Sequence, residues 1–298
     1  MGNRHDSLRT LMFVVTVLLL LGGGLGILVV APSASGGREG SDDAGVGAGG
    51  ALAAAPEGAT STVAVEAEPL PSTADAAAPA APAGGVVDGP KTGDYRYRDV
   101  RTGSDGKVSE SERATPVSRA PDEGGIVVVR VSEPLSTGSG EVTSVTTQRR
   151  GPDGAVATET TVRLYGGSFL CDWQPDYTLY GAKLAPGASW SSDTSCEAKV
   201  QGGQLDGAAI TMGRRDRHKV IETKDVEVLG RTVSTLTITR VTEVELTSDG
   251  LSGVTRTEGT EQFGPAIGMP TSSDDTVTLD SFGQKRTYRS VRTLVAAP

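Results

Sequence analysis

Alternation of apolar and polar residues with a period of two dominates the chain from Lys91 to Pro298, a stretch of 208 residues. One example places Val156, Thr158, Thr160, Val162 and Leu164 on one face of a strand, with Glu159, Thr161 and Arg163 on the other. Such alternation is typical of a β-strand with one buried face. No amphipathic helix of ten residues is convincing in this stretch, so we expect an all-β domain.

Asp-Gly pairs recur between the alternating segments, and both residues tolerate the positive φ angles that tight hairpin turns need. The pairs are Asp105-Gly106, Asp153-Gly154, Asp206-Gly207 and Asp249-Gly250. Consecutive strands joined by short turns pair antiparallel. We therefore predict an antiparallel meander of about 10–12 strands, which must curl into a half-barrel, a barrel or a sandwich because large sheets twist.

One hairpin surrounds the turn Leu229-Gly230-Arg231. Its return strand, Thr232 to Thr247, carries Leu236, Ile238, Val244 and Leu246 on one face. Unbroken alternation would also turn Arg240 inward, where it could bind an anionic ligand. We expect instead a β-bulge that shifts the phase and brings Val241 to the core.

Residues 11–31 form a run of 21 residues without a charge. As a helix this run would span roughly 30 Å, the thickness of a bilayer's hydrocarbon core. Arg4 and Arg9 precede it, so the positive-inside rule predicts a cytoplasmic N-terminus, residues 1–10, and an extracellular remainder. We expect a single-pass signal-anchor in the cell membrane; a cleaved signal peptide, which would give a secreted protein, is the alternative.

Residues 32–90 are rich in Ala, Gly, Pro and Ser and contain no aromatic residue. Such a composition cannot bury enough apolar surface to compensate the entropy lost on ordering. The stretch contains eight acidic residues and one arginine, so it carries most of the chain's net charge of −9. We interpret it as a disordered tether before the β-domain at residues 91–298.

Cys171 and Cys196 are the only cysteines. Export would place them in an oxidising compartment, where they are expected to form a disulfide. The spacing lacks the Cys-x-x-Cys pattern of redox enzymes, which favours a structural bond.

Aromatic residues concentrate around the cysteines: Tyr165, Phe169, Trp173, Tyr177, Tyr180 and Trp190. As a functional set they would form a lid or mouth over an apolar cavity and bind a ligand there. As a structural set they would form a small core that plugs one end of the sheet, which is the interpretation we favour.

Basic residues cluster between Gly213 and Lys219. We interpret this run as a solvated turn before a strand; the alternative is a patch for an anionic envelope polymer or lipid headgroups, formed by Arg214, Arg215, Arg217, His218 and Lys219. Asp274, Asp275 and Asp280 are similarly expected in an acidic turn, because their spacing is not that of a calcium loop. No metal site or cofactor is predicted.

Several function classes lack support in the sequence. The acidic balance argues against nucleic-acid binding. The chain has no Gly-x-Ser-x-Gly nucleophile motif, no phosphate loop and no dinucleotide fingerprint. Catalysis by a pair of carboxylates stays open, because such pairs have no spacing signature.

Three short elements follow one another in the last third of the chain: Gly187-Ala188-Ser189-Trp190, Val226-Glu227-Val228-Leu229-Gly230, and Phe263-Gly264-Pro265-Ala266-Ile267-Gly268. Their order resembles the G-x-x-W, V-x-V-x-G and F-x-P-x-x-G elements of exported, actinobacterial-type all-β domains. The resemblance covers roughly Gly187 to Leu294 and implies no enzymatic residue. These domains are distantly similar to the half-barrels of lipoprotein carriers, which implies an acyl chain held against a curved sheet.

Three functions are therefore expected, in decreasing order. The first is a membrane-anchored extracellular β-domain that binds a partner or scaffolds the cell envelope without catalysis. The second is a half-barrel that binds or carries a lipid or another apolar ligand. The third is a carboxylate-based hydrolase.

Overall fold

The computed structural model describes residues 89–120, 126–134, 143–164, 166–203, 206–248, 251–281 and 284–298. The predicted membrane segment at residues 11–31 lies outside these ranges, as does the predicted tether up to residue 88. Inside them, no helix is long and apolar enough to cross a membrane. The predicted all-β class is confirmed for the described part of the chain.

The described residues form twelve strands. They are β1 (Gly93–Gly103), β2 (Val108–Arg119), β3 (Val127–Pro134), β4 (Thr143–Gly151), β5 (Gly154–Leu164), β6 (Gly167–Gly181), β7 (Ser189–Lys199), β8 (Ala209–Val228), β9 (Arg231–Ser248), β10 (Leu251–Gly264), β11 (Met269–Ser281) and β12 (Gln284–Ala296). Each strand pairs antiparallel with the next, and β1 also pairs with β12. The predicted meander is thus confirmed, and it closes as a barrel.

Because the strand number is even, the chain enters and leaves the barrel at the same end. We call this the terminal end; β1 begins there and β12 finishes there. The start of β1 lies beside the last residue of the chain, since a Cβ atom added to Gly93 would lie 2.6 Å from the Cβ of Pro298. The opposite end, which we call the distal end, carries the turn between β1 and β2 and every second turn after it.

Glycine is required at some of the tight turns. Gly154, between β4 and β5, has a φ of +106°, and a Cβ atom there would lie 2.3 Å from the carbonyl oxygen of Tyr180. Gly106 also adopts a positive φ, as predicted for the Asp-Gly turns. The predicted turn at Asp249-Gly250 lies outside the described residues.

Inward-facing side chains form two apolar regions with a charged layer between them. The distal region contains Phe169, both cysteines, Met212 and Leu246. The terminal region combines a cluster around Tyr95, Tyr97, Val129, Met269 and Leu294 with a second around Tyr180, Ile238 and Phe263. Strand alternation explains this arrangement, because every second residue of each strand points into the barrel.

A β-bulge changes the predicted face of β5. Opposite β4, Thr147 pairs with Glu159 and Gln148 pairs with Ala157, which leaves Thr158 as an extra residue. The phase therefore shifts, and Ala157 and Thr160 are both buried. The assignment of Val156 and Thr158 to the same buried face as Thr160 is wrong for this reason.

The barrel wall has two seams with few backbone pairs. Between β2 and β3, the paired residues of β2 are only Val117 to Arg119. Between β6 and β7, the one registered pair inside the described strands joins Gln174 and Ser195. A proline adjoins the paired residues at each seam: Pro116 comes directly before Val117 in β2, and Pro175 directly after Gln174 in β6. Proline lacks the N–H group that a β-ladder needs.

The predicted disulfide between Cys171 and Cys196 is confirmed, and it crosses the β6–β7 seam. Their Cα atoms are 5.5 Å apart. Both cysteines are buried in the distal apolar region. The covalent bond therefore closes the wall where hydrogen bonding between strands is sparsest.

The tip of the β8–β9 hairpin extends beyond the barrel wall. Pairing of β8 with β7 ends at Lys219, and pairing of β9 with β10 ends at Leu236. Ile221 is an extra residue at a bulge, and from the pair Lys224–Thr235 to the turn the two strands pair only with each other. We call residues 221–235 the capping ribbon, because Val226, Val228 and Val233 pack on the terminal apolar cluster formed by other strands.

Replacement of both cysteines by serine should lower the free energy of unfolding by about 3.5 kcal/mol, the loop-closure entropy of a 26-residue loop. Urea denaturation of the full chain measures this difference. Reduction of the wild-type protein is the control and should give a similar loss. A loss below about 1 kcal/mol would show that the seam holds without its covalent bond.

Candidate functional site

The charged layer inside the barrel is organised around Arg240 on β9. Its guanidinium group donates two hydrogen bonds to Asp275 on β11, at 3.0 and 2.6 Å, and one to Glu261 on β10, at 3.1 Å. The Arg240 side chain is 16% exposed, and the two carboxylates are 3% and 10% exposed. The charges are tolerated inside the wall because Arg240 lies at hydrogen-bond distance from both carboxylates.

The inward direction of Arg240 contradicts the predicted bulge. Pairing of β9 with β10 runs without a shift from Leu251 and Ser248 to Phe263 and Leu236. Val241 is therefore only partly buried instead of lying in the core. The alternation is unbroken because Asp275 and Glu261 make an inward arginine tolerable.

Tyr180 extends this network across the barrel from β6. Its hydroxyl group donates a 3.0 Å hydrogen bond to Glu261. Burial raises the pKa of Glu261 above its ordinary value, and Arg240 and Tyr180 oppose that effect. Burial and the neighbouring Glu261 also raise the pKa of Tyr180. The pair can hold a proton inside the barrel.

A second ionic group lies on β1, β2, β3 and β12. Arg113 binds Asp99 at 2.6 Å, and the guanidinium group of Arg292 lies 3.5 Å from Glu133 and 3.9 Å from Asp99. Arg292 also stacks over the ring of Tyr97 at 4.1 Å. This group fills the interior beside the β2–β3 seam.

A third group is formed by the basic run, which lies within β8 and not in a turn. Alternation directs Arg214, Asp216 and His218 inward and Arg215, Arg217 and Lys219 outward. The interpretation as a solvated turn is therefore wrong, and the five residues proposed as one anionic-partner patch lie on two faces of the wall. Asp274, Asp275 and Asp280 also lie within a strand, β11, so the predicted acidic turn is wrong for the same reason.

Arg214 and Asp216 bind each other inside the wall. Arg214 donates to both carboxylate oxygens, at 2.6 and 3.0 Å, and stacks over Tyr177 at 4.4 Å. Thr242 donates a further 2.7 Å bond to Asp216. Burial alone would raise the pKa of Asp216, but Arg214 and these hydrogen bonds hold it below its ordinary value.

His218 stacks on Trp190 with ring centroids 5.0 Å apart. Burial lowers the pKa of His218 to about 4, and the cations Arg240 and Arg214 add to this effect while Asp216 opposes it. The imidazole is therefore neutral at physiological pH, and it belongs to the packing of the wall.

The structure divides the predicted aromatic set between two clusters. Phe169, Trp173 and Tyr177 pack in the distal apolar region beside the disulfide. Tyr180 and Trp190 pack in a separate cluster with Phe263. Tyr165 lies outside the described residues. The aromatic residues thus follow β6 and β7 along the interior.

Sequence reasoning missed Asp275, Glu261 and Asp216 as partners of the buried arginines. A signal was present, because each lies in phase with inward apolar positions of its own strand; Asp275 precedes Val277 by two residues, and Glu261 precedes Phe263 by two. No group of three or more His, Cys, Asp or Glu side chains within the described ranges forms a metal site. Glu261 and Asp275 share Arg240 as a common hydrogen-bond donor.

The outer wall contains a cavity of about 210 Å³ over β6 to β9. Its lining is polar and carries both signs of charge: Gln174, Asp193, Thr194, Ser195, Gly213, Arg214, Arg215, Glu243 and Glu245. The cavity lies on the outer face of the β6–β7 seam, because its lining includes Gln174 and Ser195, the pair that registers this seam among the described strands.

Replacement of Arg240 by methionine should cost about 3–5 kcal/mol of stability at pH 7, because Asp275 and Glu261 would remain buried without a cation. The deficit should shrink toward pH 5, because burial already raises the pKa of Glu261 and loss of Arg240 removes a group that opposes this effect, so the folded variant takes up a proton there more readily. Urea denaturation at both pH values measures it. Addition of Asp275→Asn and Glu261→Gln should recover most of the loss; a single variant as stable as the wild type would contradict the central role of Arg240.

Replacement of His218 by phenylalanine should flatten the pH dependence of stability between about pH 6.5 and 4. In this window the unfolded chain takes up a proton at His218 and the folded chain does not. The stability of the wild type therefore decreases as the pH is lowered, by up to about 1.4 kcal/mol per pH unit. The phenyl ring keeps the stack on Trp190. The measured quantity is the difference between the two proteins across the pH series, and parallel curves would show that His218 titrates normally.

Comparison with known proteins gives no further assignment. No family model matches the chain. Searches of curated proteins and of solved structures also found no match.

Proposed function

We propose that this protein is a membrane-anchored extracellular β-domain that binds or scaffolds a component of the cell envelope without catalysis. Residues 11–31 would hold it in the membrane, and residues 32–90 would separate the barrel from the bilayer. A coil of that length reaches about 40–45 Å on average. The disulfide fits an oxidising location outside the cell.

This proposal is carried by one observation: inward side chains of the barrel form hydrogen bonds with backbone groups of strands and turns that are not their neighbours. Arg150 on β4 donates a 2.8 Å hydrogen bond to the carbonyl oxygen of Gly268, in the turn between β10 and β11. Tyr97 on β1 donates a 2.9 Å bond to the carbonyl oxygen of Pro270 on β11. These strands are not neighbours in the wall, so the bonds cross the interior. Partner recognition is therefore assigned to the outer wall and the two ends.

A second candidate function is the carriage of a lipid or another apolar ligand, and the capping ribbon favours it. An isolated two-stranded ribbon is marginally stable in water, so the packing of Val226, Val228 and Val233 must hold it in place. Leu229 at its tip has a left-handed φ of 53° and is 44% exposed. Displacement of the ribbon would uncover the apolar cluster around Tyr95 and Met269.

The two functions are distinguished by mass spectrometry of material that co-purifies with the full chain from its native membranes in mild detergent. We expect a polar envelope fragment to be retained in a fixed ratio to the protein. The control is a chain that ends at Pro90, which should retain no such fragment. An acyl lipid retained in a one-to-one ratio would contradict the proposal and support the carrier.

A further inference from the structure

Gly213 occupies an unusual position in the middle of β8. Its φ is not in the left-handed region, and neither neighbouring ladder shows a bulge at this residue. A Cβ atom added to it would meet no atom within 4 Å. The described structure therefore imposes no backbone or packing requirement for glycine, although glycine inside a strand lowers stability by roughly 0.5–1 kcal/mol.

The missing side chain opens the cavity of about 210 Å³ on the outer wall. Gly213 pairs with Ser195 on β7 and with Glu245 on β9, and Ser195 pairs with Gln174 on β6. Directly paired residues project from the same face of a sheet. Gln174, Ser195 and Glu245 therefore stand in one row with a gap at Gly213. Glycine inside a strand often marks a place where a ligand approaches the backbone closely.

The neighbouring row of outward side chains has its charges matched. Arg215 lies 3.5 Å from Asp193 and 3.3 Å from Glu243. Arg256 on β10 lies 3.8 Å from Glu243. Arg214, at the base of the cavity, is bound to Asp216. Because these charged groups are paired with one another, they make the cavity polar but contribute little unpaired charge to it.

Glu245 differs from these residues. No cation among the described side chains lies within ion-pair distance of its carboxylate, which flanks the gap at Gly213. The Ser195 hydroxyl and the Gln174 amide oxygen stand in the same row and can accept hydrogen bonds. One anionic group with two neutral acceptors around a small cavity is complementary to a single ammonium group, which has three N–H donors.

We propose that the cavity over Gly213 binds one protonated primary amine, with Glu245 as its counter-ion and Ser195 and Gln174 as hydrogen-bond acceptors. The amine belongs to a lysine-like side chain or to an amino sugar, and both present the same ammonium chemistry. This inference rests on the proposed function, because it names the group that the outer wall recognises in an envelope component.

Calorimetric titration of the full chain in detergent tests the proposal with two matched pairs of probes. The first pair is Nα-acetyl-lysine amide and its Nε-acetylated form; the second is glucosamine and glucose. We expect the charged member of at least one pair to bind with a Kd of about 1 mM and the uncharged member to bind at least about tenfold more weakly. The pair that binds identifies the source of the amine.

Two variants locate the binding. Gly213→Val should abolish it by filling the cavity, and its melting temperature should not fall because the new side chain points into open space. Glu245→Gln should weaken it by about tenfold or more. The controls Thr211→Val, on the outer face of the same strand, and Glu258→Gln, an exposed carboxylate outside the cavity lining, should keep the Kd within about twofold of the wild type.

Equal binding of charged and uncharged probes would overturn the proposal, as would unchanged binding by Gly213→Val or no saturable binding at about ten times the expected Kd. If those results come with a retained envelope fragment, the proposed function stands and the amine site fails. If the amine binds at Gly213 but the native material is an acyl lipid, the site stands and the proposed function fails.

Discussion

The pairing of Arg240 with Asp275 and Glu261 is the interaction on which the interior depends. Three adjacent strands each place a charged residue inside the wall, and none of the three could remain there alone. Through Tyr180 the same network reaches β6 on another side of the barrel. It therefore fixes the register of the charged layer and, with it, the positions of the apolar regions on either side.

The charged layer also helps to fill the wide interior of the barrel. An eight-stranded barrel has an interior that side chains just fill, and a twelve-stranded barrel is wider. Here the extra space is taken by long side chains, among them Arg150, which is 2% exposed and bound to Gln148 and Gly268. Arginine and tyrosine span the interior and still satisfy their polar ends. A purely aliphatic filling would have shorter reach and would leave gaps.

The period of two, the Asp-Gly turns and the two cysteines were enough to predict the antiparallel meander, its approximate strand number and the disulfide. They were not enough to predict the direction of Arg240 or the place of Asp275, because the partners come from strands 35 residues apart along the chain. From the local pattern alone, a charged residue on the apolar face is interpreted as a bulge that shifts the alternation. The phase does shift where a ladder has an extra residue, as at Thr158 and Ile221, but the β9–β10 ladder that carries Arg240 has none. The run from Gly213 to Lys219 was wrongly predicted as a turn, because its charged residues alternate between the two faces of one strand.

The start of β1 lies beside the end of β12, and this has a mechanical consequence. Under the proposed function, a partner bound at the distal end and an anchor before residue 91 would load the barrel along one line, and the force would enter at Gly93 and run along β1. The hydrogen bonds of β1 to β2 and β12 lie across that direction, so they are loaded together in shear and not opened one by one. The strand that receives the load is also the one that closes the barrel, and it has a long ladder on both sides.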